Sequence, residues 1–335
     1  MSQANILDPV NARKPARFKA GFGQRYLLTV DTEEDFDWGK PLSRTKHRID
    51  SVARLRKFQQ FCEGRGVVPV YLVDYPIATS PLAVELLKEP LAEGRAEIGV
   101  QLHPWVSPPN DEDVTQFNSF SGNLPPYLER AKLLKLHETI LRNFGQAPLI
   151  YRAGRYGIGA NTAAILREAG IAIDTSVRAL FDYSETGGPN FRDLPLQPWW
   201  VGGEPGTLLE LPLTTVFSGP LRWFGPFIYP RTWRVPRLRG VLSRLGLLER
   251  IPLTPEGITV REALRGVDIA VAQGLPVLVL SFHSPSLHPG LTPYVRTEAD
   301  LDDLYDWWRI IFARLGERGV LPTSVREIMG ALELA

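Results

Sequence analysis

The chain has 335 residues, with 38 Lys and Arg against 37 Asp and Glu, so its formal net charge is +1. This near-balance argues against a protein that binds nucleic acid or an anionic membrane through bulk charge. The single cysteine, Cys62, excludes an intramolecular disulfide and a cysteine-rich zinc site. A hydrophobic content of 44% excludes a largely disordered chain, and no apolar stretch approaches the ~20 residues that a transmembrane helix needs.

The first residues are polar and charged, without the apolar region of a secretory signal. We therefore expect residues 1–22 to form a flexible N-terminal arm and residues 23–335 to form one domain. The single cysteine and the lack of a secretory signal predict a cytoplasmic protein.

Short apolar runs then recur along the chain, at residues 25–31, 67–74, 97–103, 149–152, 171–177, 208–213, 275–283 and 320–325. Helical periodicity separates most of these runs, at residues 49–63, 81–93, 126–144, 161–169, 259–273 and 298–318. Continuous apolar strands that alternate with helices predict a parallel sheet covered on both sides. Seven or eight such units favour closure into a single α/β barrel, and the absence of a G-x-G-x-x-G after the first strand disfavours a dinucleotide fold.

Two segments interrupt this alternation. Residues 106–125 are rich in Pro, Ser, Asn and Asp, and residues 183–235 hold several aromatic side chains, among them Trp199, Trp200, Trp223 and Trp233. Long insertions in a compact domain are usually functional. We expect the tryptophan-rich insertion to be a packed flap, with sugar stacking as the alternative use of the same rings.

Polar residues that could do chemistry lie at or near the C-terminal ends of the predicted strands: Asp31, Asp74, His103, Arg152, Asp174, Glu210 and His283. In an α/β barrel these ends converge on one face, which holds the active site. A carboxylate and a histidine on different strands could serve as general base and general acid, and the acidic segment 31–37 with His103 could hold a divalent metal. No G-x-S-x-G elbow and no phosphate-binding loop occurs in the sequence.

Four stretches of the chain carry a family resemblance. They are TVD at residues 29–31, EIGVQLHP at 97–104, YRAGRYG at 151–157 and LSFH at 280–283. In this order they resemble the motifs of the polysaccharide deacetylases, the NodB-homology group or carbohydrate esterase family 4. The stretch GVQLHPW and the segment FHSPSLHPG look closest to a divergent branch associated with surface-polysaccharide biosynthesis.

The resemblance implies a deformed (β/α) barrel of seven or eight units and hydrolysis of the acetamido group of a carbohydrate. It assigns Asp31 as the base that activates water, Arg152 as its partner, and His283 as the acid that protonates the leaving amine. It places a divalent metal, with zinc as the first choice, at His103, where we add Glu33 from the acidic segment. Trp105 and Tyr156 are the candidate substrate contacts.

The sequence departs from the family at two positions. Thr32 stands where the family has a second aspartate, and Gln101 stands where it has a second histidine. Because glutamine is a poor zinc ligand, Glu33 and His103 would need help from Asp31 or His288, and a harder ion held by oxygens is a further option. We expect Glu34, Asp35 and Asp37 to be solvated.

Two alternatives to a metal-assisted N-deacetylase stay open at this point. One is a non-catalytic, glycan-binding barrel that has lost its metal. The other is a metal-independent hydrolase of a different C–N bond. The basic stretch 231–250 could touch an anionic membrane or a lipid-linked substrate, although a solvated amphipathic helix is the interpretation we favour.

Overall fold

The computed structural model describes residues 4–9, 14–37, 39–232, 235 and 237–334. The strands are β1 (Arg25–Thr32), β2 (Val70–Val73), β3 (Glu97–Leu102), β4 (Ile150–Ala153), β5 (Ile173–Asp174), β6 (Trp199–Trp200), β7 (Leu209–Glu210), β8 (Thr215–Ser218), β9 (Glu249–Pro252), β10 (Val277–His283) and β11 (Leu321–Pro322). The helices are α1 (Leu55–Glu63), α2 (Tyr75–Ala78), α3 (Pro81–Ala92), α4 (Pro126–Phe144), α5 (Thr162–Glu168), α6 (Gly225–Arg231), α7 (Leu238–Arg244), α8 (Val260–Ala272), α9 (Glu298–Glu317) and α10 (Val325–Ala331).

One curled sheet organises the molecule. Its strand order is β10-β1-β2-β3-β4-β5-β7-β6, with β11 also paired to β1. All pairs are parallel except β6 with β7. Strands β8 and β9 form a separate antiparallel hairpin. The predicted α/β deformed barrel is confirmed.

Side-chain alternation along β1 explains how the barrel is filled. Tyr26, Leu28 and Val30 pack in the larger core between the sheet and the helices. Leu27 instead belongs to a second apolar cluster, with Val70, Ile150 and other alternate strand residues. Because successive strand residues point to opposite faces, Thr29 and Asp31 follow Leu27 on this inner face. The inner face therefore changes from apolar to polar toward the C-terminal strand ends.

The β8–β9 hairpin lies beside β10, at one edge of the sheet. The Thr214 N–H donates to the Val279 carbonyl at 3.2 Å, and the Leu253 N–H donates to the Thr214 carbonyl at 3.1 Å. The Ser281 N–H in turn donates to the Leu253 carbonyl at 3.3 Å. Hydrogen bonds thus link the start and end of the hairpin to β10.

Helix α10 lies at the other end of the barrel. Its residues Val325 and Ile328 join the inner apolar cluster. The carboxylate of Glu97, at the start of β3, accepts the N–H groups of Val325 and Arg326 and so ties the helix to the sheet. The predicted strand at 320–325 is wrong at its end, because Ser324 and Glu327 form a capping box that begins α10.

The N-terminal segment packs on the barrel where it is described. Ile6 is fully buried, and Pro15 and Phe18 form backbone bridges to Trp199 and Leu332. The division into an arm at 1–22 and a domain from residue 23 stays a prediction. Among the helices of the described residues, none combines the length and apolar character that a membrane span requires.

Candidate functional site

The C-terminal strand ends surround a cavity of about 760 Å³. Asp31, His103, Arg152 and His283, which the sequence placed on four separate strand ends, all line it. So do Glu33, Trp105 and Tyr156. All seven predicted site residues therefore lie around one space, although their roles stay predictions.

Asp31 and Arg152 form a buried ion pair on the cavity floor, with exposed fractions of 1% and 0%. The guanidinium also donates through Nη2 to the Thr29 hydroxyl at 2.9 Å and through Nε to the Thr175 carbonyl at 3.1 Å. Three fixed acceptors hold the guanidinium in one orientation. Such a pair restricts which of the Asp31 oxygens faces the cavity.

His283 faces Asp31, with Nε2 3.7 Å from Oδ2. Its Nδ1 lies 2.6 Å from Oε2 of Glu256, whose Oε1 accepts the His283 backbone N–H at 3.1 Å and the Ser286 hydroxyl at 2.6 Å. Burial alone lowers the pKa of His283, but the nearby carboxylates, Glu256 foremost, outweigh it and raise the pKa to about 10. His283 is therefore a cation near neutral pH, with one N–H directed into the cavity.

Sequence reasoning missed Glu256. This residue lies in the loop between β9 and α8, away from any predicted strand end, and a single carboxylate in a loop is usually solvated. Burial raises the pKa of Glu256, but the charge and hydrogen bonds of His283 bring it below the ordinary value. The hairpin that precedes Glu256 was also missed, so no sequence signal placed this carboxylate beside the barrel.

His103 is buried and lines the same cavity. Its Nδ1 lies 2.8 Å from Oε2 of Glu34, and the Trp105 indole N–H donates to Oε1 of the same carboxylate at 2.7 Å. The Trp105 ring also stacks on the imidazole at a centroid distance of 4.4 Å. Burial lowers the pKa of His103 to about 4, so the ring is neutral near pH 7. With Nδ1–H donated to Glu34, the lone pair is on Nε2.

Glu33 and Gln101 are next to this Nε2. Glu33 Oε2 is 3.4 Å from His103 Nε2 and 3.4 Å from Gln101 Nε2. The second carboxylate oxygen of Glu33, Oε1, and the amide oxygen of Gln101 are both buried and have no hydrogen-bond partner among the described residues. Burial raises the pKa of Glu33 well above its usual range. A neutral imidazole beside two unsatisfied oxygens fits a divalent cation.

Glu34, Asp74 and His103 form a second group whose ligand atoms are close enough to hold a metal. The hydrogen bonds of Glu34 are already made, and Asp74 accepts the N–H groups of Glu34 and Ile77 at 2.7 and 2.9 Å. Neither carboxylate lines the cavity. This group therefore orients the His103 ring from the side that faces away from the cavity.

Several expectations need correction. Glu34 and Asp35 are 0% and 7% exposed and hence not solvated. Asp174 and Glu210 are paired in register on β5 and β7, but their neighbours Ile173 and Leu209 take the inner face. These two carboxylates therefore point away from the cavity.

Other predicted positions also lie outside the site. Thr32 donates its hydroxyl to the Val30 carbonyl at 2.9 Å, and neither Thr32 nor His288 lines the cavity. Trp199 and Trp200 are buried, and Trp223 is 71% exposed. None of these three rings lines the cavity, and Trp233 lies outside the described residues.

No protein-family model and no curated protein matches the sequence. Among solved structures, the chain is similar to a Mycobacterium smegmatis protein provisionally described as a polysaccharide deacetylase, with 18% identity over 95% of this chain and 92% of that chain, and a TM-score of 0.51. It is also similar to a 4-alpha-glucanotransferase from Thermococcus litoralis, with 13% identity over 93% of this chain and 41% of that chain, again at 0.51. The chain therefore shares the barrel fold of the Mycobacterium smegmatis protein over nearly its whole length.

Proposed function

We propose that this protein is a metal-assisted hydrolase that removes the acetyl group from an N-acetylated polysaccharide or glycan precursor. The observation that carries the proposal is the Asp31–His283 pair. Arg152 holds the Asp31 carboxylate and Glu256 holds the His283 imidazolium. Asp31 Oδ2 and His283 Nε2 lie 3.7 Å apart in the same cavity. The fold likeness to a described polysaccharide deacetylase supports the same class of substrate.

A base and an acid placed side by side suit amide hydrolysis. Asp31 accepts a proton from a water molecule as the water oxygen attacks the acetamido carbonyl carbon. His283 then donates the proton on Nε2 to the amide nitrogen, and the C–N bond breaks to give acetate and a free amine. Arg152 holds the Asp31 carboxylate in place, and Glu256 keeps His283 charged until the nitrogen becomes basic.

Glu33 and His103 are the residues we assign to a divalent metal, with the Gln101 side-chain oxygen beside them. Such an ion would polarise the carbonyl and stabilise the negative charge on its oxygen. Glu34 and Trp105 fix the ring orientation of His103, which is the usual arrangement around a metal-binding histidine. We assign zinc first because a histidine and a carboxylate are among its preferred ligands.

We further propose that the substrate is a surface-polysaccharide precursor met in the cytoplasm. The support is the sequence resemblance together with a single cysteine, Cys62, which is buried and unpaired in the structure. Trp105 and Tyr156 on the cavity wall are the aromatic surfaces that we assign to the sugar ring.

Acetate release from N-acetylglucosamine oligomers, with amine appearance in parallel, tests the proposal. We expect turnover by the wild type and none by Asp31→Asn, because an amide cannot take the proton from water. Arg152 keeps its bonds to Thr29 and Thr175 in that variant, so circular dichroism should show a folded protein. Full activity of Asp31→Asn would remove Asp31 as the base.

Other outcomes would point to the remaining candidates. Binding of the oligomers without acetate release would favour a glycan-binding barrel. Acetate release that persists after complete metal removal would favour a metal-independent hydrolase.

A further inference from the structure

Both acidic and basic side chains line the cavity. The carboxylates Asp31, Glu33 and Glu256 are already described. Arg155 and Arg178 line the same cavity with Tyr156 and Tyr183, and we call these four residues the arginine wall. The proposed amide chemistry uses the carboxylates and Arg152, but neither of these other two arginines.

Neither Arg155 nor Arg178 forms an ion pair within the described part of the chain. Arg155 donates to the Ser119 hydroxyl and lies 4.4 Å above the Phe120 ring. Arg178 donates to the Tyr183 hydroxyl at 3.2 Å and lies 4.0 Å from the centre of the Phe181 ring. Because each guanidinium carries five N–H donors, most of them are left for a ligand.

The backbone that presents this wall is strained. Arg155 and Tyr156 have φ values of 54° and 61°, in the left-handed region that residues with a side chain rarely adopt. Two consecutive residues in this region cost free energy that packing elsewhere must offset, and such strain concentrates at functional sites. Here it turns both side chains into the cavity just beyond the end of β4.

We propose that Arg155 and Arg178 form a subsite for an anionic group, a carboxylate or a phosphate, on the sugar substrate. The inference rests on the proposed function for the identity of the sugar. Aromatic rings hold both guanidiniums in place without neutralising them, and planar guanidinium groups bind carboxylate and phosphate oxygens well. The substrate would thus be an acidic N-acetyl sugar that places its acetamido group at Asp31 and its anionic group at this wall.

Calorimetric binding of three sugars to the full-length protein tests the subsite without any need for turnover. The sugars are N-acetylglucosamine, N-acetylmuramic acid and N-acetylglucosamine 6-phosphate, which are neutral, carboxylated and phosphorylated. We expect at least one acidic sugar to bind about tenfold or more tightly than the neutral one. The tighter of the two acidic sugars identifies the anion.

The ratio of the affinity for the acidic sugar to that for the neutral sugar should fall to near one in Arg178→Gln and in Arg155→Gln. Arg178→Lys should keep part of this preference. Arg65→Gln is the matched control, because Arg65 also lies on an aromatic ring, at 3.9 Å from that of Phe61, but is exposed on the surface. Equal binding of all three sugars, or an unchanged preference in the Arg178 variants, would overturn the subsite. Acetate release from neutral oligomers is measured separately, so a failed subsite leaves the proposed function testable.

A second feature stands apart from the cavity. The segment from residue 211 to residue 248 contains six arginines and no Asp or Glu. Its described part exposes large apolar side chains, with Trp223 71%, Phe224 60%, Phe227 66% and Leu245 65% exposed. Four arginines of the same segment are also exposed: Arg222, Arg231, Arg237 and Arg244. We call these eight residues the aromatic–arginine surface.

We infer that the aromatic–arginine surface docks on an anionic lipid bilayer. Exposed aromatic rings insert at the headgroup level, and the exposed arginines attract anionic headgroups. A second protein copy is the other candidate, but it would bring the same positive charge to the contact. Charge complementarity therefore selects the lipid surface.

Co-sedimentation with phosphatidylcholine vesicles, with and without phosphatidylglycerol, tests this inference. We expect binding only when phosphatidylglycerol is present, weakening as salt screens the arginines. The triple variant Trp223→Ser, Phe224→Ser, Phe227→Ser should lose binding, whereas Tyr127→Ser, which removes a ring 67% exposed elsewhere, should keep it. No binding by the wild type, or a dimer in light scattering that the triple variant abolishes, would contradict it.

Discussion

Glu256, a carboxylate from a loop, sets the charge state and the orientation of His283. It accepts two hydrogen bonds from His283, one from the ring and one from the backbone, and its carboxylate is the main reason that the pKa of His283 rises to about 10. Glu256 touches no reacting atom in our proposal, so it is a positioning residue. Its influence is confined to the charge state and orientation of the imidazole.

The variant Glu256→Gln separates this role from a merely structural one. His283 acts as an acid in its charged form, which exists below its pKa, so wild-type activity should fall as pH rises toward 10. A neutral amide no longer favours the cation, and the loss of activity should begin at lower pH in the variant. The measurement is kcat against pH for both proteins, with stability followed at each pH. An unchanged pH profile would reassign the acid.

At the scale of elements, the alternation of continuous apolar runs with helical segments accounts for most of what the sequence could predict. The long apolar runs at β1, β3 and β10 were found because burial on both faces makes them continuous. The two-residue strand β6 carries too few residues for any period, and the sequence predicts no strand there. The β8–β9 hairpin was missed because it begins inside the expected insertion at 183–235, where aromatic content obscured its pattern.

Gly99 shows how tightly β3 packs inside the barrel. A Cβ atom at this position would lie 2.4 Å from Leu72 Cδ2 and 2.8 Å from the Ile150 carbonyl oxygen. We expect Gly99→Ala to lower the free energy of unfolding by about 1–3 kcal/mol, since the contacts involve neighbouring backbone as well as side chain.

Urea unfolding measures this change. Gly316→Ala is the control, because Gly316 lies in α9 with open space around its would-be Cβ atom. Alanine there should stabilise the protein by about 0.5–1 kcal/mol. Equal stabilities of the wild type and Gly99→Ala would show that the strand interior is looser than the structure indicates.

At the scale of the whole molecule, the residues that stabilise the barrel and the residues assigned to chemistry lie at opposite ends of its axis. Helix α10 and the inner apolar cluster fill one end, and the charged strand ends surround the cavity at the other. The sequence predicted this polarity, since Asp31, His103, Arg152 and His283 all follow apolar runs. It could not predict the arginine wall or Glu256, because these residues come from loops whose path depends on tertiary packing.

The metal is the feature on which the proposed function depends most directly. Elemental analysis of the purified wild type, after reconstitution with divalent ions, should find about one metal ion per chain, zinc in the first place. His103→Ala and Glu33→Gln should each lose most of it, since each removes a ligand on the cavity side. A wild-type protein without bound metal, or full occupancy in both variants, would contradict a metal-assisted deacetylase at this site.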